Sequence, residues 1–256
     1  LRDELNRLAI YRFARATYGY FQRVLIEGRA GFVWGQVGDR QLYPEPNGLA
    51  VRAYLGWAAI TRDARPCDYA LRSLDATWEQ TWLPVGGFWK RNFLEEMPKS
   101  ASLADQVAMG RAFVMAARVS ERPQDAERAV VVGRLVLDWF ADADDGFFHS
   151  NATPKKSGGV KGSGRDALDN AQAVRFLAEL SHLTGDPAWA QAARRALPAF
   201  EKDFDDMKLE AADWALAVRA LGVSDLPARP AWAPVVDNVP EPQVRQRSKR
   251  YRTGAR

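Results

Sequence analysis

Apolar positions Leu5, Leu8, Ile10, Phe13, Tyr18, Phe21, Val24 and Leu25 recur three and four residues apart and stop at Gly28, which predicts a helix over residues 3–27. Breakers in Tyr43-Pro44-Glu45-Pro46-Asn47-Gly48 precede a new apolar run. Helices are then expected at 48–60 and 67–82, joined at the corner Thr61-Arg62-Asp63 and closed by Gly86-Gly87-Phe88. Ser102-Leu103-Ala104-Asp105 opens the next helix, with Ser102 as candidate N-cap. It runs to about Val119, turns at Ser120-Glu121-Arg122-Pro123 and continues as a helix over 124–140, closed by Asp144-Asp145-Gly146-Phe147. A Gly/Lys/Ser-rich loop, His149 to Arg165, precedes helices at 168–183 and 187–203, and within it Gly158-Gly159-Val160-Lys161-Gly162-Ser163-Gly164 reads as a mobile loop. A short helix at 208–221 precedes a Pro-rich tail.

The hairpins share a register. Asn47 precedes Thr61 by 14 residues, as Gln106 precedes Ser120 and Asn170 precedes Thr184. The closers Gly31-Phe32, Gly87-Phe88 and Gly146-Phe147 are 56 and 59 residues apart. An amide at the helix start, an apolar helix, a polar corner, a second helix and Gly-Phe, repeating near 60 residues, mark a helical-hairpin array. The period alone allows an open solenoid or a closed α/α toroid; the long, irregular connections favour the toroid. The fold class is therefore all-α, with about three and a half hairpins of an incomplete α/α toroid. We expect a helical domain over residues 1–225 and an extended basic tail over 226–256.

Asn47-Gly48-Leu49 before one helix, Leu103-Ala104-Asp105-Gln106 before the next, Gly146-Phe147-Phe148, and Asn170 ahead of Leu183-Thr184-Gly185-Asp186 together resemble the C-terminal part of YyaL-type thioredoxin-domain proteins, which include the spermatogenesis-associated thioredoxin-like proteins. The resemblance covers roughly residues 30–220. It implies an (α/α)6 toroid of the six-hairpin glycosidase and sugar-epimerase kind. The departures are Pro46 where the family has Trp, Gln106-Val107 in place of Tyr-Ala, and Ala167-Leu168-Asp169 in place of Pro-Ser-Gly. The family's thioredoxin-like domain and first hairpins have no counterpart in the chain.

Composition changes this picture little. Hydrophobic residues make up 47% and charged residues 27%, ordinary for a globular protein. Nine Trp residues point to core anchors. The net charge of +4 is outweighed by the tail, where Arg245, Arg247, Lys249, Arg250, Arg252 and Arg256 stand without an acid, so the body is close to neutral. The tail reads as a solvated terminus that can touch an anionic surface. Cys67 is the single cysteine, which excludes an intrachain disulfide, a redox pair and a cysteine-rich metal site. With two histidines, neither a His-based metal site nor the histidine pair of sugar epimerases of this fold can be assembled in a cavity, and no phosphate-loop or dinucleotide motif is present. No cofactor and no metal are expected. No apolar run approaches the ~20 residues of a membrane span; the expectation is a soluble protein of the cytoplasm or periplasm.

In a toroid the first helix of each hairpin lines the interior, so Asn47, Asp105, Gln106, Asp169 and Asn170 gather near one mouth beside free helical N–H groups. They form a polar pocket for a hydroxylated ligand, with Asp105 and Asp169 as an acid/base pair, or they cap their own helices. Trp34, Trp89 and Phe148 are candidates to stack on a sugar, or they plug the loop ends. Asp144-Asp145 resembles the paired carboxylates of some mannan-cleaving toroids, but successive side chains diverge, and a polar turn is expected. Two functions follow. The preferred one is a non-catalytic scaffold or accessory protein that binds a protein partner or the rest of its own ring; the alternative is a carbohydrate-active enzyme or sugar-binding module using Asp105 and Asp169.

Overall fold

The computed structural model describes residues 11–12, 15–17, 42–84, 86–89, 100–142, 146–155, 160–200 and 210–222. Most of the expected first helix, Trp34, Asp144-Asp145, Gly158-Gly159 and the basic tail with its boundary at 225 lie outside these residues. Among them the chain is a row of helical hairpins: α1 (Pro44–Thr61) with α2 (Ala64–Thr81), α3 (Leu103–Ser120) with α4 (Pro123–Phe140), and α5 (Ala167–Thr184) with α6 (Pro187–Ala196). Helix α7 (Glu210–Gly222) packs on α5, so that α1, α3, α5 and α7 stand side by side while α2, α4 and α6 each back their own partner. This is the all-α, α/α-toroid hairpin architecture expected.

Local chemistry explains the boundaries. Helix α1 begins four residues earlier than its apolar run, because Pro44 fits the first helical turn, where no N–H partner is needed. Asp63 and Asp186 cap α2 and α6, accepting from Arg65 N–H at 3.0 Å and Ala188 N–H at 2.9 Å. Ser102 makes no side-chain cap bond, contrary to expectation. Helix α6 ends at Ala196 and tightens into a 3-10 turn over 197–200. The stretch expected as a loop, His149 to Arg165, carries a hairpin, β4 (Asn151–Pro154) with β5 (Val160–Ser163), that pairs with β3 (Ala101–Ser102) at the start of α3, and β5 falls in the part expected to be mobile. Two further strands, β1 (Trp82–Leu83) and β2 (Gly87–Phe88), turn the chain after α2.

The core is continuous between the two rows. Trp78 and Trp82 stack at 4.3 Å, and Phe88 and Phe113 meet Trp78 edge-on, the anchoring role expected of the tryptophans. Helices α1 and α3 touch at Gly48, where a Cβ would lie 2.6 Å from the Ala108 carbonyl.

The repeated amide is a structural clamp. Gln106 accepts from Phe88 N–H at 2.8 Å and donates to Phe88 C=O at 2.8 Å and Ser102 C=O at 3.1 Å. Asn170 does the same to Phe148 N–H and C=O, at 2.7 and 2.8 Å, and to Asp166 C=O at 2.8 Å. Asn47 donates to Tyr43 C=O at 2.9 Å; its Gly31-Phe32 closer lies outside the described residues. The corners repeat as well. Thr61, Ser120 and Thr184 each return their hydroxyl to the carbonyl four residues back, at 2.8 to 2.9 Å, and the next residue, Arg62, Glu121 or Gly185, is left-handed at φ 57, 55 and 73.

Two outcomes follow for thermal unfolding. Asn170→Ala strands the buried Phe148 N–H and C=O and lowers stability by about 3 kcal/mol, at roughly 1–3 kcal/mol for each orphaned group. Glu121→Gly removes left-handed strain and raises stability by about 0.5–1 kcal/mol, whereas Gly185→Ala, with open space around it, lowers it by about 1 kcal/mol.

Candidate functional site

The three first helices present equivalent faces to a common cavity of about 230 Å³. Counted from the clamping amide, its lining repeats: Glu45, Ala104 and Leu168 two residues before it, Leu49, Ala108 and Gln172 two after, and Arg52, Arg111 and Arg175 five after. Asp169 and Val107 complete it. The helical period places these positions on one stripe, so the carboxylates Glu45 and Asp169 stand at the end of the cavity toward the helix N-termini, here called its mouth, and the guanidinium groups of Arg52, Arg111 and Arg175 at the other, its floor. Its volume is below the roughly 300–1,000 Å³ of pockets for drug-sized ligands, and suits a single sugar ring.

The mouth carries a perturbed acid. Burial, then the charges of Asp166 and Glu45, pushes the Asp169 carboxyl up to about 6, offset in part by the nearby Ser150 hydroxyl. Asp169 does not cap α5; Asp166 does, accepting from Asp169 N–H at 2.9 Å. Asp105 is buried and does not line the cavity. It accepts from Glu45 N–H at 3.0 Å, so it pins the start of α1 from the neighbouring hairpin.

On the floor, buried Arg111 donates to both oxygens of Glu179, at 2.6 and 3.1 Å, and to Gln172. Burial pushes Glu179 up, but the Arg111 bonds and the charges of Arg111, Arg52 and Arg175 outweigh it and hold the carboxyl below its ordinary range. Arg175 reaches Asp213 at 3.4 Å. Burial and the like charge of Arg111 lower Arg52 to about 10.

Of the residues singled out from the sequence, Asp169 lines the cavity and Asp105 supports its rim. Gln106 and Asn170 spend their amides on the closers, and Asn47 is fully buried against its own turn. Trp89 and Phe148 are buried in the core, away from the cavity; Trp34 lies outside the described residues. Glu45, Arg52, Arg111, Gln172 and Arg175 were missed. Aligning the three copies on their amides and reading the matched positions would have found the arginines. Neither histidine lines the cavity: His149 pairs with Asp142 at 3.2 Å, and His182 sits beside Ala220 C=O. Among the described residues no group of three or more His, Cys, Asp or Glu could hold a metal ion, and no helix is long and apolar enough to cross a membrane.

No protein-family model matches the chain, and no curated protein does. Solved structures do match. A family 76 glycoside hydrolase from a bovine Bacteroides thetaiotaomicron strain aligns with a TM-score of 0.61 at 17% identity, over 71% of this chain and 39% of its own. A D-mannose isomerase aligns with 0.64 at 12% identity, over 76% and 53%. An inactive α-1,6-mannanase variant of a Salegentibacter species, with two consecutive aspartates replaced and α-1,6-mannotriose bound, aligns with 0.53 at 16% identity, over 61% and 46%. The chain thus spans about half the length of these proteins or less. At such identities the likeness establishes the six-hairpin glycosidase-like fold, without singling out YyaL-type proteins. The preferred expectation of a non-catalytic scaffold is overturned by these matches, because the solved structures that the chain resembles are glycoside hydrolases and a sugar isomerase, and the inner face holds a cavity with charged as well as apolar lining rather than a bare apolar surface. No protein partner is identified by the described residues.

Burial and neighbouring acids push the folded Asp169 up to about 6 against roughly 4 in the unfolded chain, so its burial costs nothing while both states are protonated, destabilises progressively as pH rises from the unfolded value to the folded one, and costs most above about 6. Asn in its place escapes that penalty. Asp169→Asn therefore raises Tm above the parent at pH 7.5, and the difference closes as pH falls from 6 to 4.

Proposed function

We propose that the chain is a carbohydrate-active enzyme that cleaves a glycosidic bond at the cavity mouth, with Asp169 as general acid. The observation that carries this reading is a carboxyl pushed to about 6 at the entrance of a cavity of sugar-ring size, facing a second carboxylate, Glu45. Paired carboxyls in unlike environments are how glycosidases divide acid and base roles. Protonated Asp169 donates to the glycosidic oxygen as its bond to the anomeric carbon breaks. Water supplies the new oxygen on that carbon, and Glu45 is the carboxylate available to take the water's proton. Asp105 is a positioning residue, holding the first turn that carries Glu45.

The solved relatives support a sugar substrate, and they include both hydrolases and an isomerase. The placement of His149 and His182 away from the cavity favours hydrolysis. The likeness to YyaL-type toroids rests on motif order and adds no chemistry. A second reading has one observation behind it: the mannanase relative is inactive when two consecutive aspartates are replaced, and this chain has its own such pair, Asp144-Asp145.

The test is turnover of a panel of 4-nitrophenyl glycosides, neutral and acidic, together with α-1,6-mannotriose. Asp169→Asn lowers kcat about 10²–10⁴-fold, the usual worth of a general acid, while the parent loses activity as pH rises above about 6. Undiminished turnover by Asp169→Asn overturns the assignment, and its loss in Asp144→Asn/Asp145→Asn alone transfers the chemistry to the doublet.

A further inference from the structure

Arg52, Arg111 and Arg175 occupy one register position in three successive hairpins and together line the floor of the cavity. The fold does not require all three. Arg111 is fully engaged by Glu179 and Gln172, and Arg175 has a longer pairing to Asp213. Arg52 makes no hydrogen bond or ion pair among the described residues, although it is half-buried and shares the floor with two like charges. Glu179 is the one acid that faces all three; its equivalents in the other copies, nine residues after the amide, are Gly56 and Met115. Glu179 spends both oxygens on Arg111, so the half-buried Arg52 guanidinium has no hydrogen-bonded counterion of its own, a cost unless something else supplies the anion.

From these positions we infer that the cavity binds a sugar bearing an anionic group, whose carboxylate or phosphate oxygens are held by Arg52 and Arg175 with Arg111 behind them. The planar guanidinium fork matches such an oxyanion in two parallel hydrogen bonds, which an ammonium cannot reproduce. The geometry suits one acidic hexose. Asp169 and Arg175 are six residues apart on α5, about 9 Å of helix rise, and long helical side chains lean toward the N-terminus, which shortens the gap. A ring can therefore meet Arg52 and Arg175 with its charged substituent and Asp169 with its glycosidic oxygen. The carboxylates at the mouth select the orientation: an anion there is repelled by Glu45, so the charge goes to the floor.

This inference rests on the carbohydrate-site reading, and calorimetric binding separates the two because it requires no turnover. The probes are D-glucuronate, D-glucose 6-phosphate, D-glucose and inorganic phosphate. The expected result is at least about tenfold tighter binding of glucuronate or glucose 6-phosphate than of glucose, as one charge-assisted hydrogen-bonded contact supplies. Arg52→Gln erases that preference, and Arg52→Lys retains part of it. Without ligand, Arg52→Gln keeps or raises Tm, where a structural role would lower it. The inference is overturned if glucose binds as tightly as both anionic sugars, if phosphate alone matches them, or if Arg52→Gln leaves the preference intact. Selectivity retained in an Asp169→Asn variant that still turns over fully leaves the anion site standing and removes the proposed acid; a parent that cleaves through Asp169 but ignores charge does the reverse.

Discussion

The clamp formed by each side-chain amide on the closer of the preceding hairpin is the constraint from which the rest of the structure follows. Phe88 pairs with Trp82 and Phe148 bridges Ala141, yet the N–H and C=O of each face away from that partner, and burying them unpaired costs a large part of what a marginally stable fold can spare. Gln106 and Asn170 each offer one acceptor and two donors. They satisfy the N–H and C=O of Phe88 and Phe148 and spend the second donor on their own N-terminal turn. Because that turn lies at the start of the next first helix, one side chain fixes both the loop and the rotation of the helix.

Fixing rotation fixes which stripe faces inward. Once the amides sit at equivalent places, residues two before, two after and five after them must also be equivalent, and this is how a floor of arginines arises from three separate segments; the mouth carboxylates do not repeat, Glu45 standing two residues before its amide and Asp169 one before its own. Asp105 adds a lateral tie, holding the first turn of α1 from the start of α3. Asp169 stands at the matching place in the next copy and faces the cavity, which frees it for proton transfer.

The fold was legible because its signals are local: 3.6-residue periodicity, capping and corner residues, and a constant 14-residue offset. The first turn of α1 was misread because Pro44 and Pro46 serve equally as breakers and as helix starters. The β4–β5 hairpin escaped because its short strands alternate weakly and are held by β3, a partner some 50 residues distant. The chemistry was half legible. Polar residues at helix starts do collect around one opening, but an amide that clamps a loop and one that binds a ligand look alike in sequence. Asn47, Gln106 and Asn170 drew attention by repeating, and repetition in a toroid first marks what builds the ring. The arginines repeat too, yet on their own helices each reads as an ordinary polar position; only the neighbouring copies show that three of them converge.

The distribution of unfavourable electrostatics distinguishes ring-building from ligand-facing positions. The clamping amides of Gln106 and Asn170 are satisfied, and the ion pair of Arg111 with Glu179 is bidentate and closed by Gln172. Three perturbed groups within reach of solvent share the cavity wall: Asp169 pushed up toward neutrality at the mouth, Arg52 and Arg175 pushed down on the floor. Either could be relieved by a single neutral substitution without loss of packing, so folding alone gives no reason for both to stand in the same cavity. A ligand that brings an anion to the floor and a basic leaving oxygen to the mouth relieves both at once, and that complementarity ties the proposed acid to the proposed anion site.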